Sequence, residues 1–358
     1  MRRRRVSRRP DATLPEPSLD IHPMATDTTR MRAAVIARAG GPEVLEIRDV
    51  ARPQPGAGEV LVHVRATALN RADLLQRQGR YPAPPGWPAD IPGMEVAGEV
   101  AACGPDTTLW RQGDRVYGIV GGGGNAEYVV THERTLAAVP PNLTWTEAAA
   151  VPEAFITAHD ALVTQADVRL SEHVLIHAVG SGVGLAAVQL ARAAGALPIG
   201  DARTRDKIDR ARAFGLEEGI VVNGDPNELA ARVATLTNGA GVEVVLDLVG
   251  GPYLPASIAA AAPKGRIILI GTMAGRDATV PLGAILGKRL TIRGTVLRAR
   301  SLEEKIAATR AFAAQVGPLL ARGVVRPVID HTFRLDQIAD AHRHLESNKT
   351  FGKVVLEV

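Results

Sequence analysis

The chain has 358 residues, a net charge of +4 and a single cysteine, Cys103, so it is long enough for two domains and excludes an internal disulfide or a multi-cysteine metal site. Hydrophobic residues make up 46% but aromatics only 3%, so aliphatic and alanine packing must build the cores. No apolar run approaches the ~20 residues that span a bilayer, and the absence of disulfides fits a cytoplasmic protein, with Cys103 read as a small buried hydrophobe.

The basic excess lies at the start. Arg2, Arg3, Arg4, Arg5, Arg8, Arg9 and Arg30 outnumber Asp11, Glu16, Asp20 and Asp27, giving the first thirty residues +3 of the overall +4. The remainder is nearly neutral, so neither a nucleic-acid nor a membrane partner is expected. Residues 1–30, without apolar periodicity, read as a disordered basic extension. They contain no signal-peptide core, and their acids argue against a mitochondrial presequence. Either they form a genuine tail or translation begins at Met24 or Met31.

Residues 31–150 give short strands at 32–37, 43–50, 59–68, 96–101, 115–120 and 126–130. Clusters such as Arg52-Pro53-Gln54-Pro55-Gly56-Ala57-Gly58 punctuate them, which predicts an irregular β domain. An apolar helix over 154–163 opens an α/β alternation. It runs through strands at 173–178, 196–202, 220–222, 242–249, 266–271 and 290–296, and helices at 185–192, 205–214, 227–237 and 253–262. Continuous apolar strands such as Ile267-Ile268-Leu269-Ile270 suit a doubly wound parallel sheet covered on both faces. An amphipathic helix over 302–321, the segment Pro327-Val328-Ile329, a helix over 336–346 and a strand over 353–358 follow. That last strand can rejoin the first domain, leaving the α/β unit as an insertion.

The first α/β turn reads Val179-Gly180-Ser181-Gly182-Val183-Gly184. Small residues there let backbone N–H groups and a helix N-terminus approach a pyrophosphate. The spacing departs from the strict G-x-G-x-x-G pattern, but the strand before it and the helix and strand after it complete a βαβ unit. A dinucleotide cofactor follows, with Ser181, Gly182, Val183 and Gly184 against its phosphates. The other reading is that these glycines only cap a helix.

Several segments together resemble the zinc-free quinone oxidoreductase branch, which includes zeta-crystallin-like proteins, of the medium-chain dehydrogenase/reductase superfamily. They are Asn70-Arg71-Ala72-Asp73-Leu74-Leu75-Gln76-Arg77-Gln78-Gly79-Arg80-Tyr81-Pro82, Ile91-Pro92-Gly93-Met94-Glu95-Val96-Ala97-Gly98, Gly113-Asp114-Arg115-Val116, Ala148-Ala149-Ala150-Val151-Pro152 and Phe351-Gly352-Lys353-Val354-Val355. The resemblance implies a GroES-like catalytic domain over 31–153 and 300–358, a Rossmann domain over 154–299, NADPH or NADH as cofactor, and a homodimer.

Where zinc-dependent members of that superfamily carry a catalytic cysteine and a Gly-His-Glu histidine, this chain has Asn70 and Met94, and the four-cysteine lobe has no counterpart. An amide and a thioether cannot supply the thiolates and imidazoles that tetrahedral zinc requires, so no zinc is expected. His342 and His344, two apart, do not share a helix face, and the histidines read as surface residues. Without a Lewis acid an unactivated ketone is a poor substrate, whereas a quinone spreads the incoming charge over its conjugated system.

The resemblance further implies that Asn70 and Tyr81 lie at the nicotinamide and acceptor end and that Thr157 approaches the nicotinamide. It also implies that Gly271, Thr272, Asn348 and Lys349 close over the cofactor. For Thr157 a helix back-bond is the plainer reading, and for Tyr81 a loop cap. At the end of the second α/β strand Asp201 suits a ribose diol, while Arg203 and Lys207 suit a 2′-phosphate. We therefore expect NADPH, with NADH the alternative. The exposed edge at 290–296 is expected to pair with a second copy. The expected activity is reduction of quinones or similar conjugated carbonyls. The alternatives are an enoyl or 2-alkenal reductase and a non-catalytic cofactor- or RNA-binding crystallin-like protein.

Overall fold

The computed structural model describes residues 29–358. The expected disordered extension therefore lies outside the described residues except at its end, where Arg30 already opens the first strand. The strands are β1 (Arg30–Ile36), β2 (Leu45–Ala51), β3 (Glu59–Leu69), β4 (Glu95–Cys103), β5 (Arg115–Ile119), β6 (Tyr128–His132), β7 (Leu136–Ala138), β8 (His173–Ile176), β9 (Leu197–Ala202), β10 (Glu218–Val221), β11 (Val242–Asp247), β12 (Ala261–Leu269), β13 (Thr291–Gly294), β14 (Ile329–Arg334) and β15 (Lys353–Glu357).

Two sheets dominate. A seven-stranded sheet runs β14-β15-β3-β4-β5-β7, with β6 also on β3, and so joins both ends of the chain. It is the GroES-like part. A six-stranded sheet runs β10-β9-β8-β11-β12-β13, every pairing parallel. The order reverses between β8 and β11, the Rossmann-type arrangement that opens a crevice outside the carboxyl ends of the strands. Val174, Leu175, Ile176, Val244, Val245, Leu246, Ile267 and Ile268 are fully buried, as a parallel sheet covered by helices on both faces demands. One core extends between the two parts, with Tyr117 edge-on to Phe312 at 6.1 Å and Phe155 and Phe351 buried alongside.

Several expectations need correction. The helix expected over 302–321 is two helices, Leu302–Gln315 and Gly317–Ala321. Pro318 lacks an N–H, and its ring disfavours continuous helix through Gly317, so the rod breaks there. Pro327-Val328-Ile329 leads into β14, whose Asp330, His331 and Arg334 hide the strand from an apolar pattern. Cys103 is exposed, its thiol donating to the Trp110 carbonyl at 3.4 Å, because it ends β4 where the chain leaves the sheet. His159, His177 and His342 are buried rather than superficial. The helix after Val151 is wide-turned, with π-type segments Pro152–Ile156 and Asp160–Gln165 around Thr157–His159. Such turns concentrate at functional sites.

Candidate active site

The glycine turn leaves β8 at the point where the strand order reverses. Ala178 takes a left-handed φ of +51°, and Ser181 Oγ then accepts from Gly184 N at 3.1 Å, capping the helix Gly182–Ala193. Gly184 must be glycine, since a Cβ there would sit 2.7 Å from the Ala178 oxygen and 2.8 Å from Val179 Cα. That close approach presses the helix onto the sheet, leaving Ser181, Gly182 and Val183 half-exposed at the crevice. Gly352 N donates to Gly180 O at 3.0 Å and Ser181 pairs with Gly352. The start of β15 thus braces the turn.

Asn70, at the end of β3, belongs to a buried polar network. Its Nδ2 donates to Glu95 Oε1 at 2.9 Å, and its Oδ1 accepts from Lys353 Nζ at 2.6 Å. Lys353 Nζ also donates to Glu95 Oε1 at 2.6 Å, while Glu95 Oε2 accepts from Glu153 N at 2.8 Å. Fully buried charges persist only when paired in this way. Asp73 accepts from Asn70 N and Gly93 N, but burial outweighs those bonds and pushes its carboxyl up to about 6. Burial, with the Glu95 carboxylate second, pushes Glu153 up to about 8, and Glu153 Oε2 is buried without a partner.

One helical turn on, Thr157 is buried and its Oγ1 has no hydrogen-bond partner among the described residues, so the helix back-bond is not formed. An unpaired buried hydroxyl is costly, and here it is a donor and acceptor held in reserve. Tyr81 is half-buried, and the Arg298 guanidinium lies 5.1 Å from its ring centroid. Burial raises the Tyr81 phenol. Arg298 donates to Gly121 O at 2.8 Å and Gln76 Oε1 at 2.7 Å, and its third nitrogen is buried and unpartnered.

The other end of the crevice is cationic. Lys207 Nζ and Arg203 NH2 converge on the Asn348 carbonyl at 2.9 and 3.4 Å, and the Lys207 stem covers Gly180. Lys349, next to Asn348, is exposed. Asp201 departs from expectation. It is buried, its carboxylate bound to His177 Nδ1 and to Ala178 N. Burial alone would lower His177, but the adjacent Asp201 carboxylate raises it overall. His177 Nε2 meets Ser257 Oγ at 2.8 Å. Asp201 is thus a structural partner of His177, turned away from the ribose acceptor role expected of it. A strand-end acid looks the same in sequence whether it faces inward or outward.

Gly271 and Thr272 line a cavity of about 1020 Å³ beyond β12 and β13, shared with Thr295, Arg300 and Asp160. Arg300 binds Asp160 through two contacts at 2.6 and 3.0 Å. Gly271 and Thr272 follow β12 at its carboxyl end. Among the described residues no group of three His, Cys, Asp or Glu side chains is placed to hold a metal ion. Met94 is buried, and His342 pairs with Arg77 at 3.2 Å while burial, then Arg77, lowers it to about 3.

Sequence reasoning assigned no role to Glu95, Lys353, Glu153, Arg298 or Arg71. The first two stand inside motifs that carried the resemblance, and that was the available signal. Arg71 also stands inside such a motif, next to Asn70, whereas Glu153 and Arg298 become visible only through contacts distant in sequence.

Residues 56–141 match the family model described as alcohol dehydrogenase GroES-like domain, and residues 218–356 match zinc-binding dehydrogenase. A quinone oxidoreductase of Pseudomonas aeruginosa is 36% identical over 323 residues, 89% of this chain and 97% of that protein. The structure of mycobacterial Rv1454c complexed with NADPH superposes with a TM-score of 0.83 at 29% identity, covering 92% of this chain and all of that one. The CurK enoyl reductase structure gives a TM-score of 0.80 at 26% identity, over 92% and 99% of the two chains. The chain belongs to the medium-chain dehydrogenase/reductase superfamily of oxidoreductases, in its quinone oxidoreductase branch.

Proposed function

We propose that the chain is a zinc-independent, NADPH-dependent reductase of quinones and similar conjugated carbonyls. The observation that carries the cofactor choice is the convergence of Arg203 and Lys207 on a neutral partner, Asn348, beside the glycine turn. Two basic groups with no carboxylate in contact among the described residues fit a 2′-phosphate, whereas Asp201 is already engaged by His177. The unpaired Thr157 hydroxyl and the half-exposed residues Ser181–Val183 at the N-terminus of the helix Gly182–Ala193 fit the nicotinamide and diphosphate ends.

Bound there, NADPH supplies a hydride to the acceptor. The chain supplies position and charge. Lys353 and Glu95 lock the Asn70 carboxamide in one orientation, which fixes the wall on which both reactants lie. Tyr81 offers a ring face and a phenol that burial keeps protonated. Arg298 brings a buried positive charge to the same end, where negative charge develops on the acceptor oxygen. Glu153 holds its proton on a carboxyl raised to about 8. The zinc-free reading rests on donor chemistry: Asn70 is committed to Lys353 and Glu95, and Met94 offers only a thioether.

NADPH oxidation followed with a panel of 1,4-quinones, enones and enoyl thioesters tests the reading. Turnover with quinones is the expected result. The likeness to the CurK enoyl reductase favours a second reading, for which turnover with enones or enoyl thioesters and none with any quinone is the distinguishing outcome. Tight NADPH binding with no acceptor reduced at all points instead to a non-catalytic binding protein.

A further inference from the structure

A third cation reaches Asn348 from the opposite side of the crevice. Arg71 follows Asn70 at the end of β3 and belongs to the GroES-like part, 277 residues from Asn348 in sequence, yet its guanidinium donates to Asn348 Oδ1. Arg203 and Lys207 approach the backbone oxygen of the same residue from the Rossmann-type part. Asn348 holds a left-handed φ of +59°, a conformation asparagine tolerates better than most residues. It presents its backbone and side-chain oxygens to two different parts of the molecule.

Among the described residues none of the three cations forms an ion pair with a carboxylate. Asp330 and Glu346 act on Lys207 and Arg71 only at longer range. Burial and then the Arg203 charge lower Arg71. Lys207 is lowered by burial, then by Arg203 and Arg71. Neutral oxygens hold these groups together without discharging them. A phosphate monoester dianion does both, and a guanidinium matches its geometry with paired N–H donors.

We propose that Arg71 completes the 2′-phosphate site, so that NADPH is gripped from both parts of the molecule. The preference over NADH is then set in part by the half that lacks the glycine turn. This rests on the NADPH reading above and adds a residue to it.

Calorimetric titration of the full chain with 2′,5′-ADP, 5′-AMP and inorganic phosphate tests the assignment without turnover. The unmodified chain should bind 2′,5′-ADP far more tightly than either of the others. Arg71→Gln should weaken 2′,5′-ADP about tenfold, or about 1.4 kcal/mol, and leave 5′-AMP unchanged. Arg71→Lys keeps the charge but loses the paired donors, so it should fall between the two and serves if the Gln variant does not fold. Unchanged 2′,5′-ADP affinity in Arg71→Gln, alongside a loss in Lys207→Ala, overturns the role of Arg71 and leaves the NADPH reading standing. Equal affinity of the unmodified chain for 2′,5′-ADP and 5′-AMP overturns both. Inorganic phosphate binding as tightly as 2′,5′-ADP makes this a free-anion site and also overturns the proposal.

Discussion

Lys353 runs beneath Gly182 so closely that a Cβ on the glycine would lie 2.5 Å from the lysine Cδ. The ammonium is pinned beyond that point by Leu69 O at 3.0 Å and by Asn70 Oδ1 and Glu95 Oε1, each at 2.6 Å. The stem therefore cannot swing aside without breaking the network. Gly182→Ala is expected to weaken nucleotide binding and to lower kcat about tenfold or more, because a small misplacement at the reacting groups is costly. Binding by fluorescence titration and steady-state rates check this, and unchanged values for both would remove Lys353 from the positioning machinery.

Glu153 makes stability fall as pH rises. Its carboxyl stands at about 8 in the folded chain against an ordinary value of 4.5. Between those values the native state keeps a proton that the unfolded state releases, so the slope is negative, at most about 1.4 kcal/mol per pH unit. Asp73, raised to about 6 from 3.8, adds the same sign lower in the range. Glu153→Gln removes the ionisable proton, so urea midpoints measured from pH 6 to 8 should flatten and rise at pH 8. A variant whose midpoints track the parent places the ionisation elsewhere.

Zinc should prove irrelevant to the purified protein. With the Asn70 amide and the Met94 thioether where ligands would be needed, metal analysis is expected to give well under about one zinc per chain. Dialysis against a chelator should leave both the melting temperature and the NADPH oxidation rate unchanged. Stoichiometric zinc, or loss of activity on chelation, contradicts the donor-set argument.

The strand β13 closes one edge of the six-stranded sheet and, among the described residues, pairs only with β12. Close by in the chain, Leu282, Leu286 and Val296 are 67%, 76% and 50% exposed. An open edge beside exposed apolar side chains is a surface that proteins ordinarily cover. Light scattering is expected to give twice the chain mass, and Leu286→Lys with Val296→Lys is expected to halve it. A monomeric parent chain refutes this pairing.

The glycine turn was legible because its signal is local: spacing alone fixes where backbone must come close, as Gly184 does against Ala178 and Val179. Lys207 and Asn348 were each identifiable, but their meeting was not, since it depends on how β15 is entered. Arg71, Glu95 and Glu153 take their chemistry from partners far away in sequence, and no periodicity encodes that. Asp201 likewise takes its partner from a distant segment, His177 at the neighbouring strand's end. Local breaks such as Val316-Gly317-Pro318 were readable in principle, yet the amphipathic pattern continues through them and masked the interruption.

The brace that Gly352 and Lys353 place under the glycine turn comes from residues more than fifty positions after β13, the last strand of the parallel sheet. During synthesis the parallel sheet has all its strands well before that segment leaves the ribosome, but its binding loop and Asn70 still lack their support. A nascent chain stalled just before Gly352 should therefore fold in large part and fail to retain the nucleotide proposed for it, gaining that capacity once Gly352 and Lys353 have emerged.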